Sequence, residues 1–180
     1  MGKTEFYKSL EKALPTSDAE QRIEWAKEIV NNHIDIKDLS DLLLCEKKVA
    51  SRFSWLLSDI GTVKPGTLFE VLPYLFKVSN KVTAFNFKHS FANYWRISGV
   101  PEENEAEAID LLFDWIQSAR VNVTIKSRSL FVMSNLTKKY PELRNELTIC
   151  LEDQRDKYSR DYRKRVDRVL KELDTGEKTD

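Results

Sequence analysis

Residues 121–143 run VNVTIKSRSLFVMSNLTKKYPEL, and the reading of this stretch decides the fold class. Leu130, Met133 and Leu136 recur every third residue and Tyr140 follows four later, so a helix over 123–140 has one apolar side. Pro141 cannot extend that helix, but its fixed φ suits the first turn of the next one. The following segment, 142–154, places Leu143, Leu147, Cys150 and Leu151 on a single face. The stretch therefore reads as a helix, a proline break and a second helix.

The same punctuation recurs upstream. Pro101 and Pro65 precede Pro141 by 40 and 76 residues, and each separates an amphipathic helix from a strongly apolar one. The spacing divides the chain into helix pairs at Leu39–Val63, Pro65–Gly99, Pro101–Tyr140 and Pro141–Leu173. One such pair cannot close a core, so neighbours must stack. Two helices, 5–14 and 17–32, come before the pairs and act as a cap over residues 1–34; Ser17 or Asp18 starts the second. Ala19, Ile23, Ala26 and Val30 give it an apolar face.

Within the pairs, a short helix is expected at 38–45. Val49, Phe53, Leu56 and Ile60 then form the stripe of a helix over 46–61 that stops at Gly61. Residues 66–79 are apolar nearly all round, which suits a helix between layers, with Pro73 as an internal kink. Helices at 84–98, 101–119 and 157–173 complete about ten in all, with no strand. Trp95 and Arg96 are expected to be accessible at the end of the first of these. The reading is one α-helical domain over 1–175, four pairs over 39–173, and a polar tail over 175–180.

Composition agrees. Of 180 residues, 41% are hydrophobic and 32% charged, with 5 Gly, 5 Pro and formal net charge zero. Few turn-formers favour helices over sheets. The apolar runs are too short to span a bilayer, so no membrane association is expected, and the start of the chain lacks a signal-peptide core. Cys45 and Cys150 stand apart beside leucines and read as reduced, buried thiols of a cytoplasmic protein.

The period of about 40 residues and the 121–143 stretch resemble HEAT and armadillo repeats, 121–143 being similar to a HEAT second helix. The proline within 66–79 is similar to the bend in the first helix of that family. The resemblance covers about 39–173. It implies an all-α right-handed superhelix of stacked antiparallel helix pairs.

The second helix of each pair carries a polar row. Lys48, Arg52, Trp55 and Asp59 form the first, and Asn86, His89, Asn93 and Arg96 the second. Thr124, Arg128, Phe131 and Asn135 form the third, and Arg160, Lys164, Arg168 and Lys171 the fourth. In a stack, equivalent rows align on one surface. Arg, Asn, His and Trp bind through hydrogen bonds and stacking. Charge is segregated as well: residues 102–114 hold six acids and no base, whereas residues 155–171 hold eight bases and three acids.

No phosphate loop, nucleophile elbow or zinc-protease motif occurs, and His33 and His89 alone cannot build a histidine-rich metal site. No cofactor is expected. The reading is a non-enzymatic module that binds a protein partner through the polar rows. The alternative is nucleic-acid binding. The helical repeat and basic row are similar to those of the HEAT-like alkylpurine DNA glycosylases, a resemblance that implies a basic concave face gripping the DNA backbone; on that reading, binding should weaken steeply with salt and on substitution of Arg52, Arg128 or Arg163. An enzyme working through His89 is a third reading.

Overall fold

The computed structural model describes residues 3–82 and 86–175. All regular structure among them is helical. The chain divides into two compact units, Met1–Pro101 and Glu102–Asp180. The start expected for the helix at 84, and most of the polar tail, lie outside the described residues.

In the first unit, α1 (Lys3–Ala13) leads through a tight turn at Pro15 to α2 (Ala19–Asn31). Asp18, rather than Ser17, caps α2: its carboxylate accepts the Gln21 N–H at 2.8 Å, and the Gln21 side chain accepts the Asp18 N–H at 3.3 Å. Ser17 instead donates to the Leu14 carbonyl. The helix ends on His33 at φ 51°, and the Ile34 N–H closes back on the Ile29 carbonyl. Its buried face is rotated from the expected one. Arg22, Ala26 and Ile29 point inward, while Ala19 is exposed and Ile23 is 41% exposed. Arg22 wins that position because its charge is paired there.

Residues Ile36–Leu44 form a 3-10 helix rather than an α-helix. Ile36, Leu39 and Leu42 recur every third residue, which lines up on one face only with three residues per turn. Next, α3 (Lys47–Val63) buries Val49, Phe53, Leu56 and Ile60 as the stripe requires. It packs against α2, the 36–44 segment, α4 (Pro65–Phe69) and α6 (Phe91–Ser98). The helix does not stop at Gly61. A Cβ there would lie 2.5 Å from Leu68 Cδ2 and 3.1 Å from Ile97 Cγ2, so the glycine permits close approach of α4 and α6.

The single kinked helix expected at 66–79 is two helices, α4 and α5 (Leu72–Val78). Pro73 has no N–H to donate back, so the chain breaks at residues 70–71 and the proline takes up the first turn of α5. Between α5 and α6 a short turn at Phe87–Ser90 brings in Phe87. Phe91 meets the rings of Phe76, Phe87, Tyr94 and Trp95 at centroid distances of 5.0–5.7 Å. Trp95 is buried in this cluster, against the expectation of access; Arg96 is exposed. Gly99 ends α6 at φ 89°.

The second unit contains α7 (Glu105–Gln117), α8 (Val123–Lys139), α9 (Leu143–Gln154) and α10 (Arg160–Thr175). Helix α8 packs on α7, α9 and α10. Leu130, Met133, Leu136, Leu147, Leu151, Val166 and Val169 fill the interior. Lys126 lies on the apolar stripe of α8 and is fully buried. Its ammonium donates to the Trp115 and Ile116 carbonyls at 3.1 and 2.5 Å and sits 4.8 Å from the Tyr158 ring centroid. It thereby caps the end of α7, whose carbonyls would otherwise be orphaned.

Candidate functional site

Within each unit, helices that carry members of the polar rows pack against each other: α3 on α6, and α8 on α10. Each contact forms a polar surface from members of the rows.

In the first unit the surface centres on Trp55, 48% exposed on α3. The Arg52 guanidinium lies 4.5 Å and that of Arg22 lies 5.3 Å from its ring centroid. Arg22 also donates from Nε to Asp59 at 2.9 Å and from Nη1 to the Asp18 carbonyl at 3.0 Å. Burial pushes the Asp59 carboxyl above its ordinary value, against the opposing pull of the Arg22 bond. On α6, the Asn93 amide donates to Ser58 Oγ of α3 at 3.0 Å and accepts from Arg96 at 3.1 and 3.2 Å. His89 sits in the turn before α6, half-buried, and that burial lowers its pKa.

In the second unit, α8 and α10 enclose a groove of about 350 Å³. Its lining includes Leu130, Phe131 and Val169 along with Asn135, Lys138, Arg165 and Arg168. Phe131 is 51% exposed. Ser134 of α8 donates to Glu172 of α10 at 2.8 Å, tying the helices together across the groove, while Lys138 donates to Asn135 at 3.2 Å. Three arginines of α10 differ in their surroundings. Arg163 pairs with Asp156 at 2.9 Å on one flank, where Arg155 also holds Asp167 at 2.6 Å. Arg165 and Arg168 face the groove, and no described carboxylate pairs with either. Lys164 is exposed outside the groove, and Arg128 is half-buried on α8.

The structure therefore brings Arg52 and Trp55 together, Asn93 and Arg96 together, and Phe131, Asn135 and Arg168 together. Arg163 and Lys164 join none of these groups. Sequence reading missed Arg22, Ser58, Lys138, Arg165 and Glu172. Arg165, Arg168 and Glu172 do repeat at spacings of three and four beside the buried Val166 and Val169, a signal that was available.

A second cleft in the first unit, about 500 Å³, is lined by residues such as Ile34, Asp35, Lys37, Lys64 and Glu70 and includes no row residue. No group of metal-ligating side chains occurs among the described residues, and none of their helices is long and apolar enough to cross a membrane. Both cysteines are free: Cys45 is half-buried with its thiol directed at Glu11, and burial pushes the buried Cys150 up to about 11. No family model, curated protein or solved structure matches the chain.

Proposed function

We propose that the protein is a non-enzymatic binding module of HEAT-like type that holds a protein partner on the polar faces of its second helices. One observation carries this reading. Trp55 and Phe131 occupy the same register in their rows, third of four, and both are about half exposed at 48% and 51%. Among the described residues, Phe69 at 39% is the other exposed large aromatic, and most of the rest are committed to the interior. Exposed aromatics beside arginines are the usual energetic anchors of protein interfaces, where truncating one costs about 2 kcal/mol or more. Nucleic acid is the rival partner, and it would be read by the bases rather than by the aromatics.

The test compares tagged wild-type chain with Trp55→Ala and Phe131→Ala in affinity capture. Each captured protein is then purified and titrated against all three chains. A partner whose affinity drops at least about tenfold with either substitution supports the reading. Unchanged capture by both variants overturns it. Retention on a DNA duplex that falls steeply with salt, and depends on Arg52 or Arg128, would transfer the function to nucleic acid.

A further inference from the structure

We infer that the α8–α10 groove is the docking site for an acidic amphipathic helix of a partner protein. The inference rests on the protein-binding reading and assigns the occupant.

The lining is built from two helical stripes. On α8, Ser127, Leu130, Phe131, Ser134, Asn135 and Lys138 follow one another at three, one, three, one and three. On α10, Arg165, Arg168, Val169 and Glu172 do the same at three, one and three. The α8 stripe rises about 16 Å at 1.5 Å per residue, room for about three turns of a helix laid along it. Leu130 and Val169 are buried and form the apolar floor of the groove, and the half-exposed Phe131 ring supplies most of the apolar surface that a partner can reach. An amphipathic helix fills such a groove with anchors at i, i+3 or i+4, and i+7.

Charge selects the occupant. The groove carries Lys138, Arg165 and Arg168 against Glu172 alone. Glu172 is already bonded to Ser134, whereas no described carboxylate meets Arg165 or Arg168. The same helix neutralises Arg163 on its other flank, where Asp156 is within 2.9 Å. Arg165 and Arg168 thus place positive charge free of a described carboxylate beside the apolar lining, and that charge complements carboxylates flanking an apolar stripe. A second copy meets this poorly. A two-fold contact would set Arg165 and Arg168 against themselves. The acidic face of α7, with Glu107, Asp110 and Asp114 exposed and Glu103 exposed in the turn before it, has its apolar side buried and offers no anchors.

The test pans a randomised library of peptides about 16 residues long, long enough to lay three turns along the groove with a flank at each end, against the immobilised full chain. The expected selection is enriched in Asp and Glu, with Leu, Ile, Phe or Trp at i, i+3 or i+4, and i+7. Selected peptides should bind the double variant Arg165→Glu, Arg168→Glu at least about tenfold more weakly, and Phe131→Ala more weakly too. They should bind Arg163→Glu, a reversal of the same size on the paired flank, within about twofold. All the substituted side chains are exposed, and matching thermal melts verify the folds. Selection of neutral or basic peptides, no selection, equal binding to the double variant, or dimerisation of the chain that the double variant abolishes would each overturn the assignment. A partner lost on Trp55→Ala with no acidic peptide selected would retire this occupant and leave the broader reading intact.

Discussion

The two units are held together by different means. Around Phe91 the first unit packs Phe76, Phe87, Tyr94 and Trp95, ring against ring. The second unit packs mostly aliphatic side chains, with Phe113, Trp115 and Tyr162 buried among them, and closes its ends with directed polar bonds. Lys126 is bonded to the last carbonyls of α7, and Glu105, 7% exposed, accepts from Lys139 at 2.7 Å and from the Tyr140 hydroxyl. Ring packing tolerates small displacements, whereas a buried ammonium tolerates none, because a lost bond leaves a charge without water or partner. Ring packing weighs more in the first unit and directed bonds weigh more in the second, although the first unit also buries Arg22 through its pair with Asp59.

The sharpest way to break this contrast is to remove one element from each side. Phe91→Ala empties the centre of the ring cluster and should destabilise the protein by about 3–5 kcal/mol, with hydrogen exchange rising first in α3 and α6. Lys126→Met keeps the stem but strips two carbonyls of their donor. The expected loss is about 3 kcal/mol by denaturant unfolding, with exchange rising in α7 and α8. A neutral or stabilising Lys126→Met would show that desolvation of the ammonium outweighs its bonds, and the contrast would collapse.

Smaller changes refine it. Gly61→Ala forces a methyl onto the buried Leu68 and should cost about 2 kcal/mol in thermal melts. Glu105→Gln should cost about 1–2 kcal/mol at neutral pH. Burial alone would raise the Glu105 pKa, but the Lys139 ammonium and the Tyr140 hydroxyl together hold it below its ordinary value. A carboxylate depressed in the fold contributes stability above its unfolded pKa and loses it as pH falls toward the folded one. The difference between wild type and Glu105→Gln should therefore be full above about pH 5 and shrink on acidification below the reference value of 4.5. The smallest expected effect pairs two tyrosines. Tyr94 donates to the Ser54 carbonyl at 2.8 Å, whereas the buried Tyr162 hydroxyl has no hydrogen-bond partner among the described residues. Tyr94→Phe should lose about 1 kcal/mol and Tyr162→Phe should gain up to about 1 kcal/mol, read from denaturant midpoints.

The contrast also explains what the sequence could convey. The α3 stripe and the stop at Gly99 were legible because each follows from a local rule: periodic burial, or a φ that only glycine takes easily. The break at residues 70–71 was half legible. Pro73 announced an interruption, but only packing decided between a kink and two helices. The α2 face was misread because Arg22 is buried through Asp59, 37 residues away, and no periodicity encodes that pairing. Lys126 stands four before Leu130 and seven before Met133, on the apolar stripe itself, so a charge on a buried row is visible in the sequence, but the periodicity alone does not say what pairs with it. For the candidate surface, the rows located Trp55, Phe131 and Arg168. They did not show which arginines of α10 are already neutralised, since that depends on where the 155–159 segment folds back.

The burial of Lys126 gives the chain an internal clock for its own opening. With its amine fully enclosed between α7, α8 and Tyr158, an acylating reagent that tags surface lysines such as Lys64 or Lys164 within seconds can reach Lys126 only when the second unit comes apart. Mass-resolved labelling of that one side chain would time those excursions in the unmodified native protein.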